Sequence, residues 1–253
     1  MDDYEVRRNI WESTIPIEFR LGPDIVHSVK PTFLMLKRVD YFPLVMDKVL
    51  QNFTNISSTV REMEDIWLEC NGKPLKWHYP VGVLYDLHSG PEQLPWTVTV
   101  RLKGFPDDLV RKEEMRNLFL QTIKEADQLK HRGNIISEMK ADEHSRLFES
   151  ISQGRFDDFW SINSRLMDEN MFNLPIKVYL PNQTMKQLLI GIKNEEDEEN
   201  TLQNVISAAS EGKEEDIQII SHGVPLPHHT PLLWLARNMS YPDNFIHLIF
   251  KSK

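Results

Sequence analysis

The sequence contains little cysteine: Cys70 is the only one among 253 residues. A single thiol cannot form an intramolecular disulfide, which excludes the disulfide-stapled scaffolds of small secreted proteins. Long apolar runs are missing too, and none approaches the roughly 18 residues that a membrane-spanning helix needs. The acidic start has no apolar segment behind it, unlike a secretory signal. We therefore expect a cytoplasmic protein whose contact with membranes is peripheral.

Glycine is also scarce, and the motifs that mark common active sites are missing. The 10 glycines form neither a phosphate-binding loop after a strand nor the Gly-x-Ser-x-Gly elbow of a hydrolase. Acidic residues outnumber basic ones and give a net charge of −9, which argues against a large nucleic-acid-binding face. The sequence thus predicts no catalytic residue, no cofactor and no nucleic-acid partner.

Residues that could ligate a metal do not occur at ligand spacing. His222, His228 and His229 lie close together, but no predicted helix carries two histidines at i and i+4, and we interpret these three as loop residues. Cys70 ends a predicted strand without a neighbouring cation to lower its pKa. We interpret it as a buried structural thiol, and a thioester-carrying role is the enzymatic alternative. No metal site is expected.

The first third of the chain alternates apolar and polar residues in the way of half-buried strands. Residues 15–21, 33–36, 66–70, 75–79 and 96–102 predict strands, and residues 44–53 and a short piece around Leu84 predict helices. Asn71-Gly72 between two of these strands is a strong turn signal. A sheet whose apolar face is covered by one helix, in this order of elements, is a ubiquitin-like β-grasp.

The remaining chain predicts a helical block followed by a second lobe. Residues 107–173 contain no proline and many helix formers. After them, residues 176–180, 217–219 and 245–250 predict strands, and residues 202–209 and the stretch after Thr230-Pro231 predict helices.

One spacing pattern occurs twice and supports a duplicated lobe. Pro74-Leu75, Pro80 and Leu84 recur with the same spacing as Pro225-Leu226, Pro231 and Leu235. The predicted fold class is α+β, with two ubiquitin-like β-grasp lobes flanking a helix-rich region. We assign residues 1–105 to an N-terminal helix and the first lobe, 106–173 to a linker helix and the helix-rich region, and 174–253 to the second lobe.

Several segments, spread over nearly the whole chain, carry distinctive residue patterns. They are Pro74-Leu75-Lys76-Trp77-His78-Tyr79-Pro80, Leu94-Pro95-Trp96, Lys124-Glu125-Ala126-Asp127, Arg155-Phe156-Asp157-Asp158-Phe159-Trp160, and Thr230-Pro231-Leu232 with Ser240-Tyr241-Pro242-Asp243-Asn244-Phe245. In this order they resemble the autophagy protein 5 family, the platform subunits of a ubiquitin-like conjugation system. The similarity fades between residues 174 and 216, where the chain looks shortened.

The resemblance implies a non-catalytic scaffold of autophagosome formation. Such a scaffold receives the ubiquitin-like autophagy protein 12 from the conjugating enzymes of the cascade through an isopeptide bond, and it binds the coiled-coil autophagy protein 16. The complex acts like an E3 ligase in lipidation of a ubiquitin-like modifier on phosphatidylethanolamine, at the preautophagosomal membrane. The chain ends in Lys-Ser-Lys without a glycine tail, which is expected of a receiver. An adaptor without covalent attachment is the remaining alternative.

The isopeptide acceptor follows from the same resemblance. Lys124 opens the Lys-Glu-Ala-Asp motif and is the expected isopeptide acceptor, with Lys130 as its competitor. His78 is an expected partner-binding residue because, in the strand predicted for residues 75–79, it lies on the face opposite to Trp77 and Tyr79. Trp160 and Trp234 are the other two expected partner-binding residues. On periodicity alone, the two tryptophans also fit core positions, because tryptophan usually buries most of its area.

Overall fold

The computed structural model describes residues 3–23, 29–53, 65–89, 94–131, 135–167, 171–182, 184–210 and 217–252. The chain divides into two compact units. One is Glu12–Met115, and the other combines Met1–Trp11 with Arg116–Lys253.

The unit Glu12–Met115 is built on a five-stranded sheet. Helix α1 (Tyr4–Glu12) precedes it, and its elements are β1 (Thr14–Leu21), β2 (Thr32–Lys37), α2 (Phe42–Asn52), β3 (Trp67–Cys70), β4 (Lys73–Pro74), α3 (Val81–His88) and β5 (Trp96–Arg101). The strand order is β2-β1-β5-β3-β4. Strands β1 and β5 run parallel, and the other neighbours are antiparallel.

The apolar alternation of β1 meets the apolar stripe of α2. Ile15, Ile17 and Phe19 on β1 are buried in the same core as Met46 and Val49 on α2. Residues at i and i+2 share one face of a strand, and residues at i and i+3 share one face of a helix. Burying each such side chain stabilises the fold by roughly 1.5–3 kcal/mol. The predicted crossing of the first sheet by one helix is confirmed.

The turn after β3 forms as predicted, but the prediction of a strand over residues 75–79 is wrong. Asn71 (φ 50°) and Gly72 (φ 76°) both adopt positive φ, the conformation of a two-residue hairpin turn. Strand β4 then ends at Pro74, and residues 75–80 turn towards α3 instead of continuing the strand. Trp77 is buried in this turn, and its indole Nε1 donates to the Val110 carbonyl at 2.6 Å. The alternation of residues 75–79 therefore reflects a folded turn.

The helical block of the other unit follows a 3₁₀ turn (Lys112–Glu114). Its elements are α4 (Met115–Lys130), α5 (Ile135–Glu138), α6 (Ala141–Ser152), α7 (Phe156–Asn163) and a 3₁₀ turn (Ser164–Met167). Helix α1 belongs here by its contacts: the Trp11 ring lies 5.1 Å from that of Phe159 on α7, and the Asp3 amide donates to Asn238 Oδ1 at 2.8 Å. The domain boundaries given above stay predictions.

A second five-stranded sheet completes this unit. Its elements are β6 (Asn173–Tyr179), β7 (Met185–Gly191), α8 (Leu202–Ser210), β8 (Ile217–Ser221), β9 (Val224–Leu226), α9 (Leu232–Met239) and β10 (Ile246–Ser252). The strand order is β7-β6-β10-β8-β9, with β6 parallel to β10. Leu202, Val205 and Ile206 of α8 are buried in one core with residues of the sheet.

The two sheets repeat one another, as the doubled spacing pattern predicts. Both have the same strand order, with a parallel pair formed by the first and last strands. Pro80 and Pro231 directly precede α3 and α9. His222 and Gly223 adopt positive φ between β8 and β9, as Asn71-Gly72 does between β3 and β4. The α+β fold class, with two ubiquitin-like lobes and a helical region, is confirmed.

Candidate functional site

Both candidate lysines lie on helix α4, on different faces. The helix buries one side, with Phe119, Ile123 and Ala126 each at most 2% exposed. This spacing of four and three residues forms one stripe along the helix. Lys124 follows Ile123 by one position, about 100° around the helix, and is exposed. Lys130 continues the buried stripe at four residues from Ala126.

The two carboxylates nearest to Lys124 in sequence are occupied by other groups. Glu125 Oε1 accepts a hydrogen bond from Gln187 Nε2 on β7 at 2.8 Å. Asp127 is buried and accepts from the Ile136 amide at 2.8 Å, with the ring of His131 at 2.9 Å. Within the described part of the chain Lys124 forms no ion pair. Lys124 therefore forms no ion pair with Asp127, three residues further along the helix.

Lys130 is a structural residue by its contacts. It is 1% exposed, and its Nζ donates to Asn244 Oδ1 at 2.8 Å and lies 3.3 Å from Met167 Sδ. Burial lowers the pKa of Lys130 to about 7, although the nearby carboxylates Asp127 and Asp243 act in the opposite direction. An amine that is inaccessible in the folded chain cannot reach a reactive group on another protein.

The residue that holds Lys130 belongs to a buried polar cluster before β10. Asn244 adopts φ 69°, and its Nδ2 donates to Asn163 Oδ1 at 2.7 Å. Beside it, Asp243 Oδ2 lies 2.9 Å from His247 Nε2 and 3.6 Å from Lys177 Nζ. Burial acts to raise the pKa of Asp243, but the attraction of His247 and Lys177 outweighs it and lowers that pKa. Because each member is paired, this cluster fixes the turn into β10.

Trp160 lies on α7 beneath helix α1. Its side chain is half-buried, and the Arg7 guanidinium lies 4.6 Å from the ring centroid. Phe156 and Phe159 pack against it, with ring centroids 6.1 and 5.9 Å away. The indole Nε1 is buried and has no acceptor among the residues that the structure describes. A cation–π contact of this kind ties Trp160 to α1 within the chain, and its binding to a partner stays a prediction.

Trp234 lines a groove between α1, the β9 strand and α9. The groove has a volume of about 650 Å³ and is lined mainly by apolar side chains, namely Val6, Ile10, Val224, Pro225, Leu226, Pro227, Pro231, Trp234 and Met239, with Asn9, His229 and Thr230. Trp234 is half-buried and Val224 is 52% exposed. The contribution of α1 was missed from sequence, although Val6 and Ile10 are four residues apart on one helix face.

His78 occupies the turn after β4 and not a strand. Its side chain is half-buried, and its ring lies 4.4 Å from that of Tyr79. The strand alternation that placed His78 on an outward face is absent. A partner-binding role for His78 stays a prediction.

Cys70 has the surroundings of a structural thiol. It is 5% exposed, and Trp96 Nε1 donates to its Sγ at 3.4 Å. Burial raises the pKa of the Cys70 thiol, with the hydrogen bond from Trp96 acting the other way. A reactive cysteine needs a lowered pKa and access, and Cys70 has neither.

Two further observations concern metals and membranes. Among the described ranges, no three His, Cys, Asp or Glu side chains are grouped so that they could hold a metal ion. No helix in those ranges has the length and apolar character needed to cross a membrane.

Comparison with known proteins agrees with this architecture. Family models of autophagy protein ATG5 match three regions: the UblA domain at residues 10–102, the alpha-helical bundle region at 112–169 and the UblB domain at 173–250. Autophagy protein 5 of Drosophila melanogaster is 36% identical over 97% of this chain and 96% of its own length. Autophagy-related protein 5 of Caenorhabditis elegans is 37% identical over 98% of both chains.

A solved structure has the same fold. The crystal structure of Kluyveromyces marxianus Atg5 superposes with a TM-score of 0.86 over 98% of this chain and all of that one, at 17% sequence identity. The sequence relatives and the three matched domain models together establish the family and a role in autophagy. The chain belongs to the autophagy protein 5 family.

Proposed function

We propose that this protein is a non-catalytic scaffold of autophagosome formation that is modified covalently at Lys124. The modifier is the ubiquitin-like autophagy protein 12, attached by an isopeptide bond. The conjugate also holds the coiled-coil autophagy protein 16 and acts like an E3 ligase in lipidation of a modifier on phosphatidylethanolamine. The observation that carries the proposal is the contrast on helix α4: Lys124 is exposed and Lys130 is 1% exposed.

The chemistry requires an accessible amine. A neutral lysine amine attacks the thioester carbonyl of the charged conjugating enzyme, the thiolate leaves, and an amide bond forms. Glu125 and Asp127 already accept hydrogen bonds from Gln187 and Ile136, so the acceptor is not held in an ion pair by them. Because neither carboxylate is directed at Lys124, the enzyme must supply the base that removes the proton.

Contacts on two sides of helix α4 fix the position of the helix backbone that carries Lys124. Its buried stripe packs inward through Phe119 and Ile123, and the Glu125–Gln187 hydrogen bond connects the outward side to β7. The buried Lys130–Asn244 contact anchors the C-terminal end of the same helix. A lysine on a fixed helix presents a flexible side chain from a rigid base, which suits delivery to an enzyme.

The groove beside Trp234 is the proposed binding site of the coiled-coil partner. Apolar grooves of this size accept the apolar face of an amphipathic helix. The lining side chains Val224 and Trp234 are accessible, and Val6 and Ile10 of α1 complete one wall. The partner helix would therefore insert its apolar residues against α1 and α9.

Membrane contact is proposed to be peripheral. A chain with net charge −9 reaches an anionic bilayer only through a local group of lysines and arginines, whose attraction is screened by salt. Flotation with phosphatidylserine vesicles should fall when the salt is raised from 0.05 to 0.5 M. Flotation that is independent of salt would contradict this mechanism.

The experiment for the acceptor is a reconstituted conjugation reaction read on a reducing gel. Lys124→Arg keeps the charge and helix propensity but cannot form the isopeptide bond, and the adduct should disappear. Lys140→Arg is the matched control, since Lys140 is an exposed lysine of the same helical block. Lys130→Arg is unsuitable because it changes a buried residue.

The same reaction, run on gels with and without reducing agent, separates the alternatives. A Cys70→Ser variant should still form an adduct that resists reducing agent, whereas a thioester carrier would lose a thiol-sensitive one. An adaptor without covalent attachment would form no adduct at all. A persistent adduct in Lys124→Arg would refute the assignment of the acceptor.

A further inference from the structure

Strand β2 is an edge of the first sheet, and its ladder shows which main-chain groups face outward. The Arg38 amide donates to the Ser13 carbonyl at 2.9 Å, so the groups of Arg38 point towards β1. The N–H and C=O groups of successive residues point to opposite sides of a strand. The N–H and C=O groups of Leu36 and Leu34 therefore point towards β1, like those of Arg38. The groups of Met35 and Phe33 therefore point away from the sheet. Pro16 opposite Met35 agrees, because proline has no N–H to exchange with it.

The side chains at these two positions are also unusually accessible. Phe33 is 58% exposed and Met35 is 59% exposed, and both lie on the sheet face opposite to the apolar core. Among the described residues, no group donates to or accepts from the main chain of Phe33 and Met35 at the outer edge. The open edge, defined here as Phe33 and Met35, thus combines free hydrogen-bonding groups with exposed apolar surface.

The open edge has defined ends. On its C-terminal side, Asp40 Oδ2 accepts from the Lys37 amide at 2.8 Å, and the Asp40 amide donates to the Lys37 carbonyl at 3.1 Å. On its N-terminal side, Pro31 has no N–H to offer. Natural proteins usually blunt an exposed edge with charged or twisted residues. Here the strand is closed at both ends and open between them, over a length that suits a short added strand.

Charge decides between a second copy of the chain and a different partner. Residues 29–38 contain three cations, Lys30, Lys37 and Arg38, and no carboxylate, in a chain of net charge −9. Lys37 and Arg38 pair with Glu12 and Asp86, and Lys30 is exposed with no ion pair inside the described ranges.

Self-pairing would leave Lys30 without an acidic partner. The antiparallel register that uses both outward residues places Phe33 opposite Met35 of the second copy and Lys30 opposite Arg38, which is itself a cation and already pairs with Asp86. A strand with acidic residues at this position would instead form an opposite-charge pair with Lys30, which stabilises strand pairing.

We propose that the open edge of β2 binds an extended segment of a partner protein, which adds a strand to the first sheet. The segment pairs its main chain with Phe33 and Met35, places apolar side chains over them and carries acidic residues towards Lys30. Main-chain hydrogen bonds would supply affinity and the side chains specificity, as in other strand additions. This surface lies in the first lobe and does not depend on conjugation at Lys124.

The test uses the full chain and a fluorescein-labelled peptide of alternating valine and threonine with two aspartates at each end. Saturable binding by fluorescence anisotropy is expected, together with slowed hydrogen exchange of the Phe33 and Met35 amides. Met35→Pro removes only the outward amide, which an edge strand tolerates, and should weaken binding at least about tenfold. Met35→Lys, which adds an edge charge and keeps the amide, should weaken it as well.

The matched control is Leu189→Lys. Leu189 is 50% exposed on β7, an edge strand of the second sheet, and its substitution should leave binding unchanged. A peptide with lysines at its ends should bind at least about tenfold more weakly than the acidic one. All variants should keep the far-ultraviolet circular dichroism spectrum of the wild type, which shows that they are folded and keeps this test independent of conjugation at Lys124.

Three results would overturn the proposal. One is absence of saturable binding by the acidic peptide. Another is equal binding of a peptide whose alternate amides are N-methylated, since such binding would not use the main chain. The third is self-association of the wild-type protein that Met35→Pro abolishes, which would identify a second copy as the occupant.

Discussion

Lys130 shows how a charged residue is accommodated at the end of a helix. Its ammonium group is fully buried, and its recorded contacts are an amide oxygen, a sulfur and a carbonyl. None of these is a carboxylate, so burial is compensated by hydrogen bonds and by more distant charges. Desolvation on burial lowers the pKa of Lys130 from 10.5 to about 7, although the attraction of Asp127 and Asp243 acts in the opposite direction. Lys130 thus fixes the end of helix α4 against Asn244, and its burial lowers the stability of the fold.

This pKa predicts a pH dependence of stability with a definite sign. Between pH 7 and 10.5 the unfolded chain binds more protons at Lys130 than the folded chain, so the stability contribution rises with pH. Relative to Lys130→Met, the free energy of unfolding of the wild type should increase by up to roughly 4 kcal/mol from pH 7 to pH 10. Urea denaturation of both proteins at several pH values measures the difference. A difference independent of pH would mean that burial does not lower the pKa of Lys130.

Sequence alone could not distinguish the two lysines in this respect. Both lie in similar charged stretches of one helix, and Lys124 was selected through a family resemblance. The partner of Lys130, Asn244, is 114 residues away, and no local spacing reveals such a contact. Similarly, Glu125 binds Gln187, 62 residues away. The stripe of α4 could be predicted because it depends only on neighbours at i+3 and i+4.

At the scale of elements, alternation predicted the long strands and failed at a turn. The segments around Ile15, Ile176 and Trp96 formed strands because a sheet neighbour is present on each side. Residues 75–79 alternate in the same way, but Trp77 is held by the Val110 carbonyl and the chain turns into α3. In residues 75–79 the alternation of apolar and polar residues therefore reflects burial at alternate positions, and these residues do not form a strand.

Elements from distant parts of the chain also form the groove beside Trp234, and this predicts the effect of one substitution. Val224→Asp places a charge in an apolar groove at a position that is 52% exposed, so the fold should tolerate it. Binding of the coiled-coil partner helix should weaken at least about tenfold, since an unpaired charge is costly to desolvate.

The matched control for the groove is Leu189→Asp, which places the same charge at a position that is 50% exposed on β7, outside the groove lining. Isothermal titration calorimetry with the partner helix compares the two variants. Equal loss of affinity in both, or none in Val224→Asp, would show that the helix binds elsewhere.

At the scale of the whole molecule, the same ubiquitin-like fold occurs twice in the chain. The same strand order and the same positive-φ turns occur in both sheets, although the doubled pattern in the sequence rests on only a few prolines and leucines. These residues could be recognised because they occupy turns and helix starts, where local geometry restricts the choice of residue. Surfaces such as the open edge of β2 could not be predicted, because they depend on which side of a strand lacks a neighbour.

The central claim is that Lys124 accepts the ubiquitin-like partner, and mass spectrometry of the conjugate tests it most directly. After digestion with trypsin, the isopeptide bond leaves the C-terminal residues of the modifier on the acceptor lysine and blocks cleavage there. We expect one branched peptide, with the remnant on Lys124 and an uncleaved bond between Lys124 and Glu125. A remnant on Lys130, or on any other lysine with Lys124 unmodified, would contradict the account.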